Sequence, residues 1–200
     1  AWNTGNYKHF QRQSQYFASR GLIAMTVDYR IRSKHNITPF ESMEDAKSAI
    51  RFVRQNSKIL SVNSNMIAAG GGSAGGHLAA SSANIDKFDN KNENLKISSR
   101  PNALVLFNPI VDTSPSSFGY NSFMNKTKID LPFPPIEGSP LHNISKDSPP
   151  TIIFVGTEDN LIPIKTMEDY NHKMKKVGSI CEVVFYDGAE HSFFNKGEDF

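Results

Sequence analysis

Cysteine is nearly absent from this chain: of 200 residues only Cys181 is one, so no disulfide can close within it. Cys181 lies in an apolar, strand-like run, which reads as a buried, inert thiol rather than a nucleophile. Long hydrophobic runs are also missing. None approaches the roughly 18 residues of a membrane span, and the first residues lack the basic-then-apolar pattern of a signal peptide. Charge of one sign is missing too. Twenty-two Lys and Arg against twenty Asp and Glu leave a net +2, scattered along the sequence. That argues against a nucleic-acid or acidic-membrane partner. There is no Cys-x-x-Cys and no His-Glu-x-x-His, so no metal or organic cofactor is implied. Repeats, low-complexity tracts and linkers are lacking as well, and residues 1–200 read as one soluble globular domain.

What is present is an alternation of short apolar runs with helical patterns, the signature of βα units and a mostly parallel sheet. A helix begins near Tyr7 and stops at Gly21, and Leu22 to Val27 then reads as a strand. Thr38 is placed to cap the next helix, Pro39 suits its first position, and Glu41 completes a capping box. Met43, Ala46, Ile50 and Val53 follow at helical spacing as its buried stripe. Met66 to Ala69 reads as a strand, Ala74 to about Ser82 as a helix of small residues, and Ala103 to Phe107 as a buried strand. Residues 111–148, rich in Pro, Ser and Asn, read as a long loop or small lid. Thr151 to Val155 is a strand, Ile164 to Val177 a helix ended by Gly178, and Glu182 to Tyr186 the last strand.

Between a strand and a helix stands Gly71-Gly72-Ser73-Ala74-Gly75, a Gly-x-Ser-x-Gly segment where a nucleophile elbow belongs. A serine on so sharp a turn tolerates only small neighbours. The turn also sets Ser73 at a helix N-terminus, where the Ala74 amide can stabilise an oxyanion. A phosphate-cradling loop is the rival for Gly70 to Gly76, but no Gly-Lys-Ser/Thr follows and no ribose-binding acid closes a βαβ unit.

A serine hydroxyl needs a base, and the base needs an orienting acid. Six histidines compete. His9 and His172 fall on helices among polar neighbours, and His35 and His142 lie in unpatterned loops. His77 is one turn beyond the serine on the same helix and reads as packing beneath the elbow. His191 follows the last strand, at the carboxyl end of the sheet where active sites of parallel α/β folds gather. It is the expected base. Glu158 and Asp159 follow the strand ending at Val155, and only one of two adjacent carboxylates can face His191. Asp187 is a weaker, solvated candidate.

Together these segments resemble the acetyl esterase/lipase branch of the α/β-hydrolases, especially bacterial carboxylesterases linked to acetylated or feruloylated polysaccharides. The elbow from Gly71 to Ala79 carries the resemblance, with Val27-Asp28-Tyr29-Arg30, Asp45-Ala46, Gly156-Thr157-Glu158-Asp159 with Ile162-Pro163, and His191-Ser192-Phe193, where Ser192 replaces the family's glycine. It implies a three-layer α/β/α sandwich, Asp159 as the triad acid, and the order Ser…Asp…His. It implies a serine esterase of small-molecule or carbohydrate esters, with Trp2 and Gly72 at the substrate pocket. The family's His-Gly-Gly segment, source of the second oxyanion donor, would precede Ala1. A central strand before Ala1 and a helix after His191 are likewise expected but not found, so the chain reads as truncated at both ends. A prolyl-oligopeptidase-like peptidase and a non-catalytic binding module remain the alternatives.

Overall fold

A computed structural model describes residues 2–127 and 130–195. Four parallel strands, β1 (Ala68–Gly72), β2 (Ala103–Phe107), β3 (Thr151–Gly156) and β4 (Cys181–Tyr186), form one sheet in sequence order. Helix α4 (Ala74–Asn84) crosses from β1 to β2, and α6 (Ile164–Lys176) from β3 to β4. Both pack on the same face, where Asn84 Nδ2 of α4 donates to the Tyr170 hydroxyl of α6 at 2.7 Å. The period-2 pattern of the strands decides what lies there. Leu104, Leu106, Ile153 and Val155 point into the core shared with Leu78, Ala80, Met167, Tyr170 and Met174. Their alternates on the opposite face, Val105, Phe107, Ile152 and Phe154, are half-buried. Phe10, from the 3₁₀ turn Tyr7–Phe10, sets its ring 5.7 Å from that of Phe107.

Helix α3 (Pro39–Gln55) starts where its local signals place it. Thr38 accepts from the Phe40 amide, Glu41 accepts from the Thr38 amide at 2.9 Å, and Pro39 occupies the first turn. Met43 and Ile50 are buried and α3 packs on α4. The first helix, α1 (Gln11–Ser19), ends before Gly21, whose φ of +87° few other residues adopt. A short helix, α2 (Arg32–His35), precedes α3. Gly178, at φ +81°, follows the end of α6 in the same way. Cys181 is buried at the start of β4, and burial pushes its thiol up to about 11, as an inert packing residue requires.

Three expectations need correction. Leu22 to Val27 is not a strand: it has no sheet partner among the described residues, and Leu22, Ile23, Met25 and Val27 are each between 42% and 55% exposed. A strand is defined by a neighbouring backbone, which a β-prone composition does not provide. The strand expected at Met66 to Ala69 begins later, at Ala68, and Met66 is 77% exposed. Its limits follow the ladder to β2, which pairs Ala68 with Ala103 and Gly72 with Phe107. Residues 111–148 also hold more order than a loop: α5 (Phe118–Thr127) and 3₁₀ turns at Pro135–Gly138 and Pro140–Asn143. Gly119, Asn121 and Ser122 are weak helix formers, and burial of Phe123 against Phe40, Trp2 and His77 overrides them. No helix among the described residues is long and apolar enough to cross a membrane.

Candidate active site

Ser73 joins β1 to α4 with φ 52° and ψ −117°, a conformation that costs a serine on the order of 1–3 kcal/mol. The surroundings hold it there. Its amide donates to Phe107 O at 3.0 Å, and its carbonyl accepts from Ile110 N at 3.2 Å and His77 N at 3.0 Å. The glycine before the turn is required by close approach, since a Cβ on Gly71 would fall 2.6 Å from the Gly75 carbonyl carbon. At Gly72 the close neighbour is a side chain: a Cβ there would fall 2.3 Å from the Phe194 ring, which would have to shift. As the first amide of α4, directly after Ser73 in the chain, Ala74 N–H has no acceptor inside the helix.

The loops after β3 and β4 bring the other two groups to this point. Asp159 Oδ1 accepts from the amides of Leu161 and Ile162, both at 2.9 Å, which fixes the carboxylate in a turn of its own. Its Oδ2 lies 2.7 Å from His191 Nδ1. A carboxylate only accepts, so Nδ1 carries the proton and Nε2 is left bare. The bare Nε2 lies 2.9 Å from Ser73 Oγ and accepts its hydroxyl proton. The Asp159 side chain is fully buried and that of His191 is 14% exposed, so the acid is shielded while the base is reachable.

The remaining candidates are elsewhere. Glu158 is exposed, as is Asp187, which accepts from Thr157 Oγ1 at 3.3 Å. His9, His35, His142 and His172 are exposed. His77 is fully buried under the elbow. Its Nε2–H donates to Gly138 O at 2.7 Å, and burial holds its pKa down at about 4. Trp2 is 5% exposed and packs edge-on to His77 and Phe123, 4.9 and 4.7 Å between ring centres, as part of the core. The second oxyanion donor, expected upstream of Ala1, lies outside the described residues.

One neighbour escaped the sequence reading. Phe194 covers Gly72 and stacks loosely with Phe10 and Phe107, 5.7 and 5.9 Å between ring centres, and Gln13 Nε2 donates to its carbonyl. The doublet Phe193-Phe194 next to the expected base was the available signal.

A parallel sheet whose strand ends assemble a strained serine, a carboxylate and a histidine in that chain order defines the α/β-hydrolase fold. The BD-FAE family profile matches residues 1–174, and the chain belongs to that family. Among solved structures it is similar to esterase 2 of Thermogutta terrifontis phosphoramylated by tabun. The two are 41% identical with a TM-score of 0.89, covering all of this chain and 72% of the other. The butyrate-bound form of that esterase superposes with a TM-score of 0.87 at 41% identity, over 98% of this chain and 72% of the other. Among curated relatives, the acetylxylan esterase of Xylanibacter ruminicola is 24% identical over 185 residues, 90% of this chain. The chain spans only 36% of that relative's own length.

Proposed function

We propose that this chain is a serine carboxylesterase that hydrolyses short acyl esters, acetyl above all, with carbohydrate hydroxyls as the alcohol. The observation that carries the reading is the continuous hydrogen-bonded path from Ser73 Oγ through His191 to Asp159, at 2.9 and 2.7 Å, with the serine held in a strained turn. In this reading Ser73 Oγ attacks the acyl carbon while His191 Nε2 takes its proton. Asp159 keeps the imidazole in the required tautomer and balances the imidazolium charge. The tetrahedral oxyanion forms beside the Ala74 amide. Its collapse breaks the ester C–O bond, and the alcohol leaves with the proton from His191. Water then repeats the sequence on the acyl-enzyme and releases the acid, returning the serine.

Residues 1–200 act here as one domain, with 111–148 as a small lid. Its helix α5 is anchored in the core through Phe123, which favours a fixed cover over one that opens on a lipid surface. Acetyl esters are therefore expected to turn over faster than C12 esters at equal monomeric concentration, without interfacial activation. The alcohol class rests on likeness to an acetylxylan esterase and the acyl class on likeness to a butyrate-bound esterase. The test is p-nitrophenyl acetate turnover combined with labelling by a fluorophosphonate. Turnover and label both lost on Ser73→Ala support the reading. Labelling that survives Ser73→Ala refutes it.

A further inference from the structure

Asn108, one residue beyond β2, belongs to none of the three loops that carry Ser73, Asp159 and His191, yet it contacts two of them and adjoins the third. Its side-chain Oδ1 accepts from the Gly156 amide at 2.9 Å, at the end of β3 and three residues before Asp159. Its Nδ2 donates to His191 O at 2.9 Å and Glu190 O at 3.2 Å. The orientation of the amide is fixed by its partners: an N–H can only donate, so the oxygen faces Gly156, and carbonyls can only accept, so the nitrogen faces the His191 loop. The Asn108 backbone amide donates to Phe154 O at 2.8 Å. Its neighbours Phe107 and Ile110 hold the Ser73 turn by the backbone bonds described above. Asn108 is 1% exposed and has φ +36°, a left-handed conformation that a short polar residue tolerates better than most.

We infer that Asn108 is a positioning residue that sets the His191 loop against the Asp159 loop, and so fixes the angle at which His191 meets Ser73. The inference rests on the esterase reading for its kinetic consequence but not for its geometry. No other residue type offers one acceptor and two donors in this shape. Asp in its place keeps the bond from Gly156 and turns an oxygen against two carbonyls. Gly accepts the positive φ and removes all three bonds.

The test compares wild type with Asn108→Gly and Asn108→Asp, each counted by fluorophosphonate titration so that only folded sites enter the rate. Both variants should lose about 10²-fold in kcat with KM changed less than about threefold, the size expected when a reacting pair is misplaced by about 1 Å. Independently of turnover, the low-field proton resonance of His191 Nδ1–H bonded to Asp159 should be present in wild type and lost or broadened in both variants. A melting temperature that falls while kcat per titrated site stays within about threefold, and the resonance persists, assigns Asn108 to stability alone and overturns the inference. If wild type shows the resonance and the variants lose it, yet wild type hydrolyses no ester, the inference stands and the esterase reading falls.

Discussion

Two regions bury ionisable side chains, and they are finished differently. Beneath α3, Lys47 is 3% exposed and donates to Ile85 O, Lys87 O and Asp89 Oδ2 at 2.7, 2.6 and 2.7 Å, which uses all three of its protons. Arg51, equally buried, pairs with Asp89 and Glu93 and donates Nε–H to Ile97 O at 2.9 Å. Ser99 completes Asp89 at 2.8 Å. Burial works to raise the Asp89 carboxyl, and the hydrogen bonds from Lys47, Arg51 and Ser99 override it and hold it below its usual range. The network closes on itself and pins residues 85–99 to α3. At the carboxyl ends of the strands the chain of bonds runs from Asp159 to His191 to Ser73 and stops, leaving the serine oxygen free to attack. Ser73 and Asn108 there hold positive φ, as does Phe88 in the closed network. Buried charge by itself marks structure; a hydrogen-bonded chain left open at a nucleophile marks chemistry.

The sharpest test of that contrast is at the open end. Ser73→Ala should lower kcat toward p-nitrophenyl acetate by on the order of 10⁴-fold or more, about 5.5 kcal/mol, while the urea midpoint scarcely moves. A retained rate would mean that the chain of bonds is decorative. Next come the adjacent acids. Asp159→Asn should lower kcat by about 10³–10⁴-fold because the imidazole loses its tautomer, and Glu158→Gln by less than about 10-fold. Reversed costs, read in the same assay, would shift the acid by one residue.

In the closed network the expected effect changes kind. Lys47→Met leaves two carbonyls and part of Asp89 without a partner, and should cost about 3–5 kcal/mol of stability in urea unfolding. The kcat of the protein that remains folded should stay within about threefold. A larger fall in kcat would join the two regions that the structure keeps apart.

The smallest effect is a pH dependence beneath the elbow. His77 is neutral when folded, with a pKa held near 4, while the unfolded chain titrates near 6.5. Between those values the unfolded state binds a proton that the native state refuses. Stability from this group is therefore complete above about pH 6.5 and is lost as pH falls toward 4, up to about 3 kcal/mol. His77→Gln keeps a donor for Gly138 and removes the titration. Urea unfolding of both proteins at pH 7 and pH 4.5 should show the wild type losing more stability than the variant on acidification.

Much of this was legible in the sequence, and the reason is range. The start of α3 is encoded by Thr38, Pro39 and Glu41, the stop of α6 by Gly178, and the elbow by Gly71, Gly72 and Ser73, each acting on atoms a few bonds away. The order serine, acid, histidine and the carboxyl-end position of all three loops follow from the alternation of strands and helices. What proved illegible depends on partners far along the chain. Leu22 to Val27 looks like a strand but finds no neighbour, and α5 looks like a loop but is held by the burial of Phe123. Nothing local separates Glu158 from Asp159, and only the family resemblance of their loop pointed to Asp159.

By itself, then, the sequence determined the caps, the glycine turn, the succession of βα units and the residue types available for chemistry. Tertiary structure alone decided that Asp159 meets His191, that Phe194 covers Gly72, and that Asn108, 48 residues before Gly156 and 83 before His191, ties their loops together. The physical reason is that a cap or a turn is satisfied by backbone groups within one helical turn. A hydrogen bond across strand ends exists only once the sheet has fixed which ends are neighbours.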